Sequence, residues 1–284
     1  MNPVQAVILG VVQGLTEFFP VSSSGHLVIF QQLFGLREPA LLFDVCVHVG
    51  TLLAVVAYFY KDIERMALAF FRFLKTLAAG GAKRAAGGAK RAAAGGDPDL
   101  KMVALILVGT VPTGLLGFGF HQVADQLFAS LLVVGLALLL TTGLLVATRL
   151  VKAKGRDILA FTVLGAVVVG VAQALAAIPG VSRSGATIAT CLILGLNRDT
   201  AARFSFLLSI PAILGALILS LVSGSDTWGE FTAATLILGT LVSAGVGYAA
   251  LATLIKIVRH GRLYYFAPYC LLLGLLTLGL GGWN

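Results

Sequence analysis

Residues 10–36 read GVVQGLTEFFPVSSSGHLVIFQQLFGL and contain a polar break between two apolar segments. The apolar run that begins near residue 3 ends at Pro20, small polar residues follow, and the apolar piece 27–36 is too short to cross a bilayer. Inside a membrane, irregular backbone is tolerated only where protein buries it or where it lines a wet cavity. The pattern therefore predicts a re-entrant hairpin, in which two short helices enter and leave the membrane from the same side.

The composition places the rest of the chain in a membrane as well. Of the 284 residues, 58% are hydrophobic and only 11% are charged, whereas soluble domains carry about 25% charged residues. The polar sequence between the apolar runs is too short for a soluble catalytic domain or a nucleic-acid-binding module. We predict an all-α polytopic membrane protein that forms a single membrane domain over residues 1–284. Its six predicted transmembrane segments are residues 41–60, 102–120, 127–148, 204–222, 232–254 and 264–282.

A second copy of the hairpin pattern lies at residues 163–197, around the sequence PGVSRSG at 179–185. Shifting residues 10–36 by 160 positions, without a gap, gives ten identical pairs. The pairs Gln13 with Gln173 and Ser24 with Ser184 are polar matches, which apolar low-complexity sequence does not produce. We therefore predict two repeats, residues 1–149 and 158–284, each with one hairpin and three spans.

The basic residues predict the orientation. Four loops, at 61–101, 149–157, 198–203 and 256–262, hold 18 of the 20 Lys and Arg residues and are therefore assigned to the cytoplasm. With this assignment the hairpins enter from opposite sides and both termini lie outside. The repeats then have inverted topology, as in membrane proteins that bind substrate near the midplane. The Gly- and Ala-rich stretch within 78–100 is predicted to be a flexible cytoplasmic linker near anionic lipid headgroups.

Three ionisable residues lie at membrane depth, and all of them are on the hairpins: Glu17, His26 and Arg183. Such residues are costly in a membrane and are usually functional. Gln13 lies four residues before Glu17 and hence on the same helix face. The Arg183 guanidinium suits bidentate contact with phosphate. The structural alternatives are that Glu17 and Arg183 tether the hairpins to each other and that His26 is a packing residue.

Serines stand at both breaks, at positions 22–24 and at 182 and 184. Serine is a good helix N-cap, and capping alone accounts for Ser22 and Ser182. A helix N-terminus with free N–H groups also attracts anions. Two such ends converging from opposite hairpins would bind a polyanion such as a pyrophosphate. Asp44 and His48, near the end of a span, are candidates for the outer rim of this site.

The motifs QGLTEFFPVSSSGH at 13–26 and PGVSRSGAT at 179–187 resemble the undecaprenyl-diphosphate phosphatase family of the bacitracin-resistance type, and the similarity continues through FSFLLSIP at 204–211. The resemblance implies a six-span enzyme with two re-entrant hairpins in the bacterial inner membrane, with its active site facing outside. It also implies a divalent cation, Mg²⁺ or Ca²⁺. Members carry Glu or Gln at the position of Gln13, so Glu17 and substrate oxygens would be the main metal ligands. The phosphatidate phosphatase type does not fit, because its Lys-x6-Arg-Pro motif is absent.

The predicted function is hydrolysis of undecaprenyl diphosphate to undecaprenyl phosphate, which recycles the lipid carrier for cell-wall synthesis. The predicted catalytic set is Glu17, Ser23, His26 and Arg183, and the predicted phosphate-binding set is Gln13, Ser24, Ser182, Ser184 and Thr187. The predicted partners are the polyprenyl diphosphate substrate and membrane lipids, with no nucleic acid. The oligomeric state is left open, a homodimer included. The alternative function is a transporter or flippase for an anionic polyprenyl phosphate lipid, because inverted repeats are also typical of transporters.

The preferred nucleophile is Ser23, because the 160-residue shift pairs it with Arg183. A serine hydroxyl needs an adjacent base to attack at neutral pH. The predicted base is His26, which lies three residues further on and shares a helix face with Ser23. Attack by His26 or by water remains open, and Ser24 is the second candidate serine.

Overall fold

The computed structural model of the chain describes residues 1–36, 41–93, 96–121, 130–151, 155–222 and 232–281. Over these residues the fold is all α-helical, as predicted, and their only β-type pairing is a single bridge between Arg156 and Leu196. The helices are α1 (Pro3–Phe18), α2 (Ser23–Leu33), α3 (Leu41–Tyr58), α4 (Tyr60–Ala93), α5 (Pro98–His121), α6 (Leu131–Leu150), α7 (Val163–Leu175), α8 (Arg183–Ile193), α9 (Arg198–Val222), α10 (Ala233–Arg259) and α11 (Ala267–Gly281). Short 3₁₀ helices, Ile158–Ala160 and Leu263–Phe266, precede α7 and α11.

Within the described ranges, four helices are long and apolar enough to cross a membrane, namely α5, α6, α9 and α10. A fifth span results if α3 and the first part of α4 count as one, although the chain bends by 74° between them. The last predicted span, 264–282, contains the shorter apolar helix α11. The chain is therefore a multi-pass membrane protein, and the count of six spans stays a prediction.

The segment 78–100 differs from the predicted flexible linker, because the backbone of α4 remains helical as far as Ala93. Alanine is the best helix former, and lysine and arginine follow closely. Each glycine in a helix interior costs about 1 kcal/mol relative to alanine, and the alanines between the glycine pairs offset that cost. Residues 94 and 95 of this segment lie outside the described residues, and α5 begins at Pro98.

The two stretches predicted as hairpins are helix–break–helix units in the structure, α1–α2 and α7–α8, and they end in the same way. The Leu36 N–H donates to the carbonyl of Gln31 over 3.0 Å, and the Leu196 N–H donates to the carbonyl of Cys191 over 3.1 Å. The intervening Gly35 and Gly195 have φ of +69° and +94°, the left-handed conformation of a glycine helix cap. These positions correspond under the 160-residue shift.

The first helix of each hairpin also packs closely against a neighbouring helix, in both cases at a glycine. Helix α1 packs along α10, and α7 packs along α5. A Cβ added to Gly10 would lie 2.9 Å from the carbonyl oxygen of Gly239, and one added to Gly170 would overlap the carbonyl of Gly109. Small residues at these crossings let the backbones approach closely, as is usual between membrane helices.

The two breaks meet in the interior of the molecule. The carbonyl of Pro20 accepts a hydrogen bond from Cys270 Sγ at 3.2 Å, and the carbonyl of Gly180 accepts one from Thr141 Oγ1 at 3.1 Å. The backbone N–H of Gly180 donates to Ser22 Oγ at 3.1 Å and so links the breaks directly. The buried aromatic core beside them includes Phe18 and Phe206, whose rings pack edge to face. The packed breaks therefore fix the helix ends that carry the candidate site.

Candidate active site

The Glu17 carboxylate is the centre of the site. It lies in the last turn of α1 and is 8% exposed. Its Oε1 accepts a hydrogen bond from Arg183 at 2.6 Å. Its Oε2 accepts from Ser23 Oγ at 2.6 Å and from Gln13 Nε2 at 3.2 Å. The structure thus brings together four residues that the sequence predicted as a group, from both hairpins.

The Arg183 side chain projects from the first residue of α8, next to the N-terminal N–H groups of that helix. One guanidinium nitrogen, Nη2, forms the ion pair with Glu17, whereas the other, Nη1, is buried and has no hydrogen-bond partner among the described residues. A buried charged donor without a partner is costly. An anionic ligand oxygen at Nη1 would remove this cost, so Arg183 both tethers the hairpins and presents a donor.

The contacts of Ser23 differ from the prediction that His26 is its base. The Ser23 hydroxyl donates to Glu17, whereas His26 Nδ1 bonds to the Ser22 carbonyl at 2.7 Å and Nε2 bonds to the Tyr269 hydroxyl at 2.6 Å. Helical side chains point back toward the helix N-terminus, which directs the His26 ring to the residue four positions earlier. Sharing a helix face was therefore not sufficient to bring the two side chains together. The group in contact with the Ser23 hydroxyl is the Glu17 carboxylate.

The serines of the first break form part of the contact between hairpins. Ser22 has φ of +70°, a left-handed conformation that is rare outside glycine. Its hydroxyl lies 3.3 Å from Ser24 Oγ and receives the Gly180 N–H. Capping alone therefore does not account for Ser22, because its hydroxyl also bridges to the second hairpin.

The predicted phosphate-binding residues of α8 have protein partners. Ser182 caps the helix, as predicted, by accepting the Gly185 N–H at 3.1 Å, and its hydroxyl lies 3.2 Å from Ser184 Oγ. Thr187 is fully buried, and its hydroxyl bonds to the Arg183 carbonyl and to Ser205. These hydroxyls hold the N-terminal turn of α8 in place, and Arg183 is the group of this turn that reaches Glu17.

Two further residues complete the site. His48 Nε2 lies 3.7 Å from Glu17 Oε2, which places this predicted rim residue beside the carboxylate. Asp44 lies one turn earlier on α3 and accepts a hydrogen bond from Gln31 at 2.6 Å. The sequence reasoning missed Tyr269, because it lies 243 residues from His26 and no motif surrounds it.

The donor set for a metal is small. Among the residues that the structure describes, no group of three or more His, Cys, Asp or Glu side chains is arranged to hold a metal ion. However, Gln13 Oε1 is buried and lacks a hydrogen-bond partner within the described part of the chain, and its amide lies beside Glu17. Mg²⁺ is commonly held by one or two protein oxygens together with substrate phosphates. The site fits a cation that arrives with a phosphorylated ligand, rather than one held by protein alone.

Comparison with known proteins finds a family and relatives that match nearly the whole chain, in agreement with the motifs. The family model described as "Bacitracin resistance protein BacA" matches residues 6–276. A protein of Desulfosudis oleivorans named undecaprenyl-diphosphatase is 52% identical over 281 residues, covering 99% of both chains. The undecaprenyl-diphosphatase of Desulfatibacillum aliphaticivorans is 50% identical over 278 residues, covering 98% of both chains. The chain therefore belongs to the bacitracin resistance protein BacA family.

Proposed function

We propose that this protein hydrolyses undecaprenyl diphosphate to undecaprenyl phosphate and inorganic phosphate, and thereby recycles the lipid carrier of cell-wall synthesis. The observation that carries the proposal is the Glu17 carboxylate, which receives the Ser23 hydroxyl on one oxygen and Arg183 on the other. A serine paired with a base, next to a guanidinium with a spare donor, is suited to attack on a phosphate. The proposed substrate is taken from the name of the relatives, undecaprenyl-diphosphatase.

In the first half of the reaction, Glu17 takes the proton from Ser23 Oγ as that oxygen attacks the terminal phosphorus. The bond between this phosphorus and the bridging oxygen breaks, and undecaprenyl phosphate leaves with the bond's electron pair. The proton on Glu17 passes to the leaving phosphate. Arg183 Nη1 holds an oxygen of the transferred group, where positive charge stabilises the transition state most.

In the second half, water attacks the phosphoserine formed on Ser23. Glu17 accepts a proton from this water, the bond between phosphorus and Ser23 Oγ breaks, and the proton returns to Ser23 Oγ. Inorganic phosphate leaves, and both side chains are restored. Ser24 lies in the same turn as the nucleophile and is assigned to binding the phosphate.

We also propose that a divalent cation takes part. Glu17 and the free Gln13 Oε1 would hold it together with substrate oxygens, and it would neutralise charge on the diphosphate. The buried, unpartnered Gln13 oxygen supports this assignment. Mg²⁺ suits such a site because it retains several non-protein ligands.

The proposed placement is in the bacterial inner membrane, with six spans, two re-entrant hairpins of opposite topology, and both termini and the active site outside. The matched glycine caps and the matched glycine crossings of the hairpins support the repeat. The basic loops support the orientation. The site would then lie where the hairpins meet, open to the outside.

Phosphate release by the purified protein in detergent tests the function. We expect release of one phosphate per undecaprenyl diphosphate, and loss of release in Ser23→Ala. Detergent leaves no closed membrane and therefore no two separate compartments. A transporter or flippase would release no phosphate under these conditions. Absence of phosphate from folded protein supplied with Mg²⁺ would therefore contradict the proposal and favour the transporter.

A further inference from the structure

Tyr269, on α11, contacts His26 across the seam between α11 and the first hairpin. Its hydroxyl lies 2.6 Å from His26 Nε2, and the two rings stack at 15° with their centroids 5.8 Å apart. About half of the Tyr269 side chain is exposed, whereas His26 is 8% exposed. We propose that Tyr269 is a positioning residue, which fixes His26 and through it the backbone that carries Ser23. This inference rests on the proposed function.

The partners of His26 determine where its proton lies. A backbone carbonyl only accepts hydrogen bonds, so the short contact with the Ser22 carbonyl requires a proton on Nδ1. In the neutral ring Nε2 is then an acceptor, and the Tyr269 hydroxyl is its donor. Both nitrogens of His26 are thus occupied in the resting enzyme. His26 is held as the Nδ1–H tautomer and is not available to Ser23.

The residue that His26 holds is the one with unusual backbone. Ser22 has φ of +70°, a conformation that for a residue other than glycine must be maintained by its surroundings. The His26 bond holds its carbonyl, and the Gly180 N–H holds its hydroxyl. The next residue, Ser23, points its hydroxyl at Glu17. A shift of the Ser22 peptide would therefore move the nucleophile away from its base.

No described charged group competes with Tyr269 for this role. A cavity of about 10 Å³ beside His26, about the size of one water, is lined by Ser22, Gly25, Thr277 and apolar side chains such as Ile29 and Leu138. His26 is the only titratable residue of that lining. The single polar side chain that reaches Nε2 among the described contacts is Tyr269.

The kinetic test removes only the hydroxyl. We expect Tyr269→Phe, which keeps the stacked ring, to lower kcat for phosphate release about tenfold, equivalent to about 1.4 kcal/mol, with KM within twofold of wild type. The matched control is Tyr265→Phe, because Tyr265 is exposed, lies beside Arg262 and has no contact with His26 among those described. The control should retain full activity.

A double-mutant cycle separates positioning from packing. If Tyr269 acts through His26, then Tyr269→Phe in a His26→Gln background should change kcat less than twofold, because the contact is already lost. A full tenfold further loss would overturn the proposal. So would Tyr269→Phe activity within twofold of wild type.

Nitrogen-15 spectra of histidine-labelled protein give a readout that does not need activity. The chain has four histidines, and His26→Gln assigns the signals of His26. We expect a protonated Nδ1 and an acceptor Nε2, with the Nε2 signal displaced in Tyr269→Phe and unchanged in Tyr265→Phe. The opposite tautomer, or no displacement, would refute the positioning role. If the wild type releases no phosphate, the proposed function fails, and these spectra still decide how His26 is held.

Discussion

Replacing Glu17 by glutamine tests the centre of the site with almost no change in shape. The carboxylate accepts from Arg183, Ser23 and Gln13, so all three donors point at its two oxygens. Glutamine keeps one oxygen and replaces the other with a donor. At least one of these donors would then face an NH₂ group, and the Arg183 charge would lose its partner.

Two magnitudes follow. Loss of a general base costs about 10²- to 10⁴-fold in rate, so we expect kcat to fall at least about 100-fold, or about 2.7 kcal/mol of barrier. Removing one partner of a buried ion pair typically costs about 3–5 kcal/mol of stability. The side chains of Arg183 and Glu17 are 16% and 7% exposed, and glutamine retains an acceptor. We therefore expect a stability loss near the lower end, about 3 kcal/mol.

The assay is phosphate release from undecaprenyl diphosphate in detergent, corrected for the folded fraction found by thermal unfolding. The control is Asp62→Asn, which disrupts contacts with Arg65 at 2.6 Å and Arg203 at 3.1 Å, away from the described site. That variant should lose stability but keep wild-type activity per folded molecule. If Glu17→Gln keeps more than a tenth of the activity per folded molecule, Glu17 is not the base and the assignment is refuted.

Four other predictions follow from the same contacts and from the sequence. Ser23→Ala should abolish phosphate release, whereas Ser24→Ala should retain activity within about tenfold of wild type. Radiolabelled substrate should leave an acid-stable label on the wild-type protein. An acid-labile label would instead indicate phosphohistidine. A chelator should stop release and Mg²⁺ restore it, whereas full activity without divalent cations would remove the metal from the scheme. In a background lacking the three native cysteines, an impermeant reagent added outside should label single cysteines at 38 and 226. It should not label single cysteines at 88 and 154. Labelling of position 154 from outside would contradict the inverted topology. Replacing 78–98 with a Gly-Ser linker of equal length should leave activity within a few fold, and near-total loss in folded protein would give this segment a functional role.

The sequence predicted those parts of the site that depend on local geometry. Proline fixes its φ and removes a backbone donor, so the end of α1 near Pro20 is visible in the sequence. The polar matches between the repeats indicated that a second break exists and that Arg183 stands at its helix start. Because ionisable groups in a membrane need partners, the pairing of Glu17 with Arg183 was the expected structural alternative. In the structure this pairing and a free Arg183 donor coexist.

The parts that could not be predicted depend on backbone conformation and on distant contacts. The positive φ of Ser22 sets the direction of the Ser23 side chain, and no serine-rich sequence specifies it. Helical periodicity placed His26 on the face of Ser23 but did not give its rotamer, which turns the ring back to the Ser22 carbonyl. The contact with Tyr269 joins the two ends of the chain. Such contacts follow from helix packing, which composition and periodicity do not encode.

The 160-residue shift shows why the site is asymmetric although the hairpins are alike. The shift pairs Glu17 with Ala177 and His26 with Ala186, so the second hairpin carries neither the proposed base nor the histidine at the paired positions. It pairs Ser23 with Arg183, so the position that supplies the hydroxyl in one hairpin supplies the cation in the other. These two positions meet at opposite oxygens of one carboxylate. Two identical breaks would bring either two hydroxyls or two guanidinium groups to that carboxylate. Attack on a phosphate needs one nucleophile and one cation, and in the proposed repeat the difference between the paired positions would provide both.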